Sequence, residues 1–244
     1  AFASTAVAAP ALREDAPTIF GRRPAVQGSG FRRDASVGHE RQPAGNEPAF
    51  IAQGVRLESW LTLGDLGGSN DTGNDCWGYV SPSGREYGLI GTSNATVIVE
   101  VSNPGNAQVV ERIVGPTSLW RDVKVYRDRA YSVSEGGSGI QVIDLSNVDA
   151  GVVTLENTIT GQGTDATHNV AIDVDSGFLY RTGGSGNGLR IYSLANPSQP
   201  QFVGSWSSRY VHDAQVVTYT SGPFSGRQVA YCCSGFNNGS GDTG

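Results

Sequence analysis

Methionine is absent from this 244-residue chain, lysine occurs once, at Lys124, and cysteine and histidine occur three times each. Each scarcity closes off a class of function. One lysine against sixteen arginines, with a net charge of −6, leaves no positive surface for a phosphate backbone, so nucleic acid is excluded as a partner. The two basic pairs, Arg22-Arg23 and Arg32-Arg33, are diluted by Glu14, Asp15, Asp34, Glu40 and Glu47. No run approaches the ~18 apolar residues of a membrane-spanning helix, so this fragment has no span, and any anchor is expected beyond residue 244. The cysteine count is odd, and adjacent Cys232 and Cys233 point to opposite faces of a strand; buried thiols are expected for both and for Cys76. No Gly-x-Ser-x-Gly elbow occurs, and Gly183 to Gly188 lacks the following helix of a phosphate loop, which leaves it a hairpin. The absence of methionine agrees with a start that is missing or processed. The small residues of Ala1 to Ala11 fit the tail of a cleaved export signal or an alanine-rich linker. Residues 1–48, rich in Ala, Pro, Gly and Arg without an apolar period, are expected to form a disordered leader or linker.

What is present is a repeat. Cys76-Trp77-Gly78-Tyr79-Val80, Arg121-Asp122-Val123-Lys124-Val125, His168-Asn169-Val170-Ala171-Ile172 and His212-Asp213-Ala214-Gln215-Val216 begin successive units spaced 121−76 = 45, 168−121 = 47 and 212−168 = 44 residues apart. A period of that size filled with short alternating runs is the mark of a β-propeller blade. Within each unit a tyrosine (Tyr87, Tyr131, Tyr180) falls in the second run and an asparagine (Asn103, Asn147, Asn196) follows the third. Extra length falls between Asp149 and Thr167, where a loop insertion is expected. The fold class is therefore all-β: a β-propeller of four-stranded antiparallel blades over residues 49–244, an incomplete fragment of three to four blades with the first strand of each blade innermost. Sequons at Asn70, Asn94 and Asn238 fall in predicted loops and suit a secreted chain.

Gly73 to Tyr79, Ser118 to Tyr126, Tyr210 to Gln215 and the segment Leu189-Arg190-Ile191-Tyr192-Ser193-Leu194-Ala195-Asn196-Pro197 resemble the choice-of-anchor B family of secreted propellers built from LVIVD repeats. The likeness covers roughly residues 54–244. It implies a secreted or cell-surface protein with a sorting anchor further on, and it implies no reaction. It also makes Gly54 to Leu63 an expected outer strand ahead of the first unit.

The residues heading the innermost strands are the candidate site: Asp75, Trp77, Arg121, Asp122, His168, Asn169, His212 and Asp213, clustered at one mouth of the channel. A ring of imidazoles there can hold a divalent metal, with His168, His212 and Asp213 as ligands. The alternative is that these side chains cap strand ends and bond to neighbouring backbone. Successive strand residues point oppositely, so His212 and Asp213 make no triad. Arg121 is expected to pair internally with Asp75 or Asp213, Trp77 and Trp120 to pack between blades, Glu135 to face solvent, and Asp173 to Gly177 to form a tight turn rather than a calcium loop, because the later glutamate is missing. With no compact catalytic constellation, the leading expectation is a binding module for a protein, small-molecule or glycan ligand. A metal-dependent hydrolase or oxidase and an accessory domain of an exported protease are the alternatives.

Overall fold

The computed structural model describes residues 57–68 and 72–234; the expected leader, 1–48, lies outside them. They form fourteen strands: β1 Gly73–Val80, β2 Glu86–Thr92, β3 Ala95–Glu100, β4 Gln108–Val114, β5 Arg121–Tyr126, β6 Arg129–Ser134, β7 Ile140–Asn147, β8 Val152–Ile159, β9 Asn169–Asp173, β10 Phe178–Thr182, β11 Leu189–Ser193, β12 Gln201–Trp206, β13 Asp213–Thr218 and β14 Gln228–Cys233. One 3-10 turn, Val148–Ala150, is the only helical element among the described residues. No helix there is long and apolar enough to cross a membrane.

Each repeat folds into its own antiparallel meander. The sheets are β1-β2-β3-β4, β5-β6-β7-β8, β9-β10-β11-β12 and the hairpin β13-β14, so the described residues are all-β, with four antiparallel sheets. The hairpins are short because glycines take the left-handed turn positions, as at Gly139 and Gly188. A bulge interrupts the third-to-fourth strand pairing at the same place in each full sheet, between Ile98 and Val99, Val142 and Ile143, and Ile191 and Tyr192. Such a bulge strengthens the local twist, and its repetition shapes the three sheets alike.

Alternation gives each sheet two faces, and the apolar residues of facing sheets meet. Tyr87, Leu89 and Ile98 of the first sheet pack with Val123, Ile143 and Leu145 of the second. Tyr131, Val133 and Val142 of the second meet Val170, Leu179 and Tyr192 of the third, and Ala171 and Tyr180 of the third meet Val216 of the last hairpin. The first strands β1, β5, β9 and β13 lie side by side in that order. The described residues do not close a ring.

The repeated tyrosines latch neighbouring sheets. Tyr87 Oη donates to Asp149 Oδ1 at 2.7 Å, Tyr131 Oη to the Pro197 carbonyl at 2.9 Å, and Tyr180 Oη to Gln228 Oε1. In every case the ring is buried in one seam and its hydroxyl reaches the next sheet, the arrangement a buried phenol requires.

Buried guanidiniums clamp the connections between sheets. Arg121 donates through Nε to the Thr92 carbonyl, through Nη2 to the Pro116 carbonyl and through Nη1 to Gln141 Oε1. Arg181 does the same in the next seam, binding Thr167 Oγ1 and the carbonyls of Gly161 and Thr164. Arg121 thus turns to carbonyls and an amide, and the Asp75 carboxylate it was expected to meet is taken by Lys124 at 2.8 Å. The reason is strand alternation: Arg121 points into the seam, whereas Asp122 and Lys124 point to the other face of β5.

Two more expectations are corrected. Of the expected outer strand Gly54 to Leu63, the described part is not a strand. Residues 57–62 are irregular, 63–67 form a turn, and Leu61, Leu63 and Leu66 cover Ala95, Val97 and Val99 on the outer face of the first sheet. The cysteines are free, with Cys76 and Cys233 exposed and only Cys232 partly covered; in the terminal hairpin alternation turns Cys232 toward the third sheet and Cys233 away. The Asp173 to Gly177 segment is a turn, closed by the Gly177 amide on the Asp173 carbonyl at 2.9 Å. The Asp173 carboxylate is occupied by Asp175 N, Ser176 Oγ, Thr218 Oγ1 and Gln228 Nε2.

Candidate functional site

The starts of β1, β5, β9 and β13 are bound to each other in sequence. Asn74 donates to the Leu119 carbonyl at 3.1 Å and accepts from the Arg121 amide at 3.2 Å. Asp122 Oδ2 accepts the Val170 amide at 2.7 Å, and Asn169 donates to the His212 carbonyl at 2.9 Å. A short polar side chain at the head of β1, β5 and β9 thus ties down the backbone of the next first strand. Two side-chain clusters stand on this platform.

The first is acidic and carries the single lysine. Lys124 Nζ pairs with Asp75 and Asp122 together and lies 4.7 Å from the centre of the Trp77 ring. Asp122 is buried and also accepts its neighbour's amide, Val123 N, at 2.6 Å. Burial, then a hydrogen bond shared with the Asp75 carboxyl, push Asp122 up to about 8, while the Lys124 ammonium works the other way. Asp75, more exposed, is penalised by burial but held below the ordinary carboxylate value by its bonds to Asp122 and Lys124. Burial lowers Lys124, but the two carboxylates outweigh it and raise the ammonium above its ordinary value. The two carboxyls and the single ammonium are thus held as one unit, with Lys124 between them.

The second is a stack of rings. His168 precedes β9 and His212 precedes β13; their ring centres are 4.3 Å apart, and the Trp120 ring centre lies 5.3 Å from that of His168. Glu135, the residue after β6, meets His168 Nδ1 at 2.7 Å. It is therefore a partner of the stack rather than a residue facing only solvent. Trp77 and Trp120 are 45% and 43% exposed, which corrects the expectation that both pack between sheets. Each instead packs beside a polar partner at the strand heads, Trp77 against Lys124 and Trp120 against His168.

The expected metal ligands do not assemble as a set. His168 is engaged by Glu135, and Asp213 accepts the Ala214 amide at 2.7 Å. Among the described residues no group of three or more His, Cys, Asp and Glu side chains is arranged to hold a metal ion.

Of the eight residues singled out in sequence, Asp75, Trp77 and Asp122 come together around Lys124, His212 meets His168, which also contacts Trp120 and Glu135, and Asn169 serves the strand link. Arg121 faces into the seam. Lys124 was passed over, although its place two residues after Asp122 in a strand puts both on one face. Chemically the surface offers two exposed indoles, an exposed imidazole at His212 and the partly exposed Asp75 carboxylate.

No protein-family model matches the chain, and no curated protein matches it. Among solved structures, a chain in the crystal structure of an active polycomb repressive complex 2 in the basal state is similar at 16% identity and a TM-score of 0.47, over 67% of this chain and 36% of that one. This chain thus spans little more than a third of that protein's length.

Proposed function

We propose that this chain is part of a secreted or cell-surface β-propeller of the LVIVD-repeat, choice-of-anchor B kind, and that it works as a binding module whose ligand sits over the heads of the first strands. The carrying observation is that two clusters stand at the heads of these adjacent strands, Trp77 with Asp75, Lys124 and Asp122, and Trp120 with His168 and His212. Exposed aromatic faces beside fixed polar groups suit a ligand with an apolar face and hydroxyl edges, so a glycan is the class favoured here. The reading is further supported by three equivalent tyrosine latches between four successive repeats and by their adjacent first strands, the arrangement that sets successive blades around an axis.

The test is a glycan array probed with the full chain, with each hit titrated calorimetrically into wild type and Trp120→Ala. A glycan whose affinity falls at least about tenfold in the variant, the loss of one anchoring contact of about 1.4 kcal/mol, supports the site. Binding that is unchanged in both Trp120→Ala and Trp77→Ala places the ligand elsewhere and overturns it.

A further inference from the structure

We propose that the Arg181–Arg190 pair, in the seam between the second and third sheets, binds a tetrahedral oxyanion, a sulfate or phosphate group, beneath the loops that follow β8 and β10. The two arginines are direct cross-strand partners on β10 and β11, on one face of the sheet. Both are buried, Arg181 fully and Arg190 to 8% exposure. Like charges opposite one another repel, and a buried guanidinium is costly without a counter-charge.

Their protein partners are all neutral. Arg181 donates to Thr167 Oγ1, the carbonyls of Gly161 and Thr164, and Tyr192 Oη. Arg190 donates through Nε to the Gln162 carbonyl at 3.0 Å, and its Nη1 is buried without any hydrogen-bond partner. Neither meets a carboxylate among the described residues. Arg129, only partly buried on the second sheet, meets three: Asp128, Asp144 and Glu156. Burial, followed by the charge of Arg181, disfavours the protonated form of Arg190.

Two guanidinium charges call for a dianion, and an unused Nη donor supplies the fork that sulfate and phosphate oxygens accept. Gly186 lies against Arg190, where a Cβ would come within 1.8 Å of Nη2, so only a glycine lets the guanidinium reach this far under the loop. Thr164 and Ser185 hydroxyls join the two loops above it, and Ser185 and Gly161 to Gly163 are exposed, so little protein separates the pair from solvent. The site is distinct from the platform of strand heads and independent of its role.

The experiment follows thermal unfolding of the full chain by tryptophan fluorescence at constant ionic strength, exchanging chloride for sodium sulfate, sodium phosphate or a sulfated monosaccharide. Wild type is expected to show a saturable rise in midpoint of about 5–10 °C at roughly 100-fold excess over Kd. The rise is expected to be lost in Arg190→Gln and kept in Arg227→Gln, an exposed site with the same charge change. A response to inorganic ions alone identifies a free ion as the occupant; a response to the sugar as well identifies a sulfated ligand. An unsaturable rise equal in wild type and Arg190→Gln is a general salt effect and overturns the proposal. If Arg190→Gln does not fold, Arg190→Lys replaces it, and calorimetric titration of sulfate into wild type decides; no heat of binding overturns the proposal.

Discussion

The Asp122 carboxylate of one sheet accepts the Val170 backbone amide of the next at 2.7 Å, so a single side chain joins the first strands of two repeats. The same carboxyl is pushed up to about 8 by burial and by Asp75. Between the ordinary carboxylate value near 4 and that value, the folded chain binds more protons at this position than the unfolded chain does. Its contribution is therefore fully present at low pH, and stability falls as pH rises through 5 to 8, by at most about 1.4 kcal/mol per unit. Asp75, held low, acts only below the ordinary carboxylate range, where stability is lost as pH falls. In Asp122→Asn the slope between pH 5 and 8 flattens. Urea unfolding at several pH values checks this, and parallel slopes for the two proteins would count against it.

Tyr131 is fully buried and its hydroxyl donates to the Pro197 carbonyl across the seam. Tyr131→Phe keeps the ring and removes the donor, leaving that carbonyl without its protein donor. A loss of about 1 kcal/mol is expected in chemical denaturation, with an unchanged m-value; no loss would mean that the latch is not energetically coupled to the fold.

At Gly188, φ is +77°, and a Cβ would lie 1.6 Å from the Trp206 carbonyl oxygen. Gly139 repeats the situation one sheet earlier, 1.9 Å from the Ile159 oxygen. Gly188→Ala combines a left-handed penalty with a backbone clash, so a loss of about 3 kcal/mol or more is expected. Gly84→Ala, where no atom lies within 4 Å, carries the backbone penalty alone and is expected to cost about 1–2 kcal/mol. Equal thermal midpoints for the two variants would contradict this account.

Cys76 and Cys233 are exposed, whereas burial, and then the neighbouring Cys233, raise the Cys232 thiol. A thiol-specific disulfide reagent added to the native chain near neutral pH is expected to react quickly at two sites and slowly at the third. Three equal rates, with each cysteine assigned by substitution, would show that Cys232 is not shielded by the third sheet.

The repeat period and the alternation of apolar residues determined the strands, their order in each sheet and the turn at Asp173 to Gly177, because these depend on local chain chemistry and on a two-residue period that survives any packing. The recurrence of Tyr87, Tyr131 and Tyr180 was equally legible, but not what their hydroxyls reach: Asp149, Pro197 and Gln228 lie 62, 66 and 48 residues away. The same limit explains the residues read wrongly. Whether Trp77 and Trp120 are buried, whether Arg121 reaches Asp75 or the Thr92 and Pro116 carbonyls, and whether Leu61 and Leu63 pair as a strand or lie flat on the first sheet depend on which face of each sheet meets its neighbour. Only the tertiary structure decides this, because that choice is set by the summed burial of whole seams and not by any one segment.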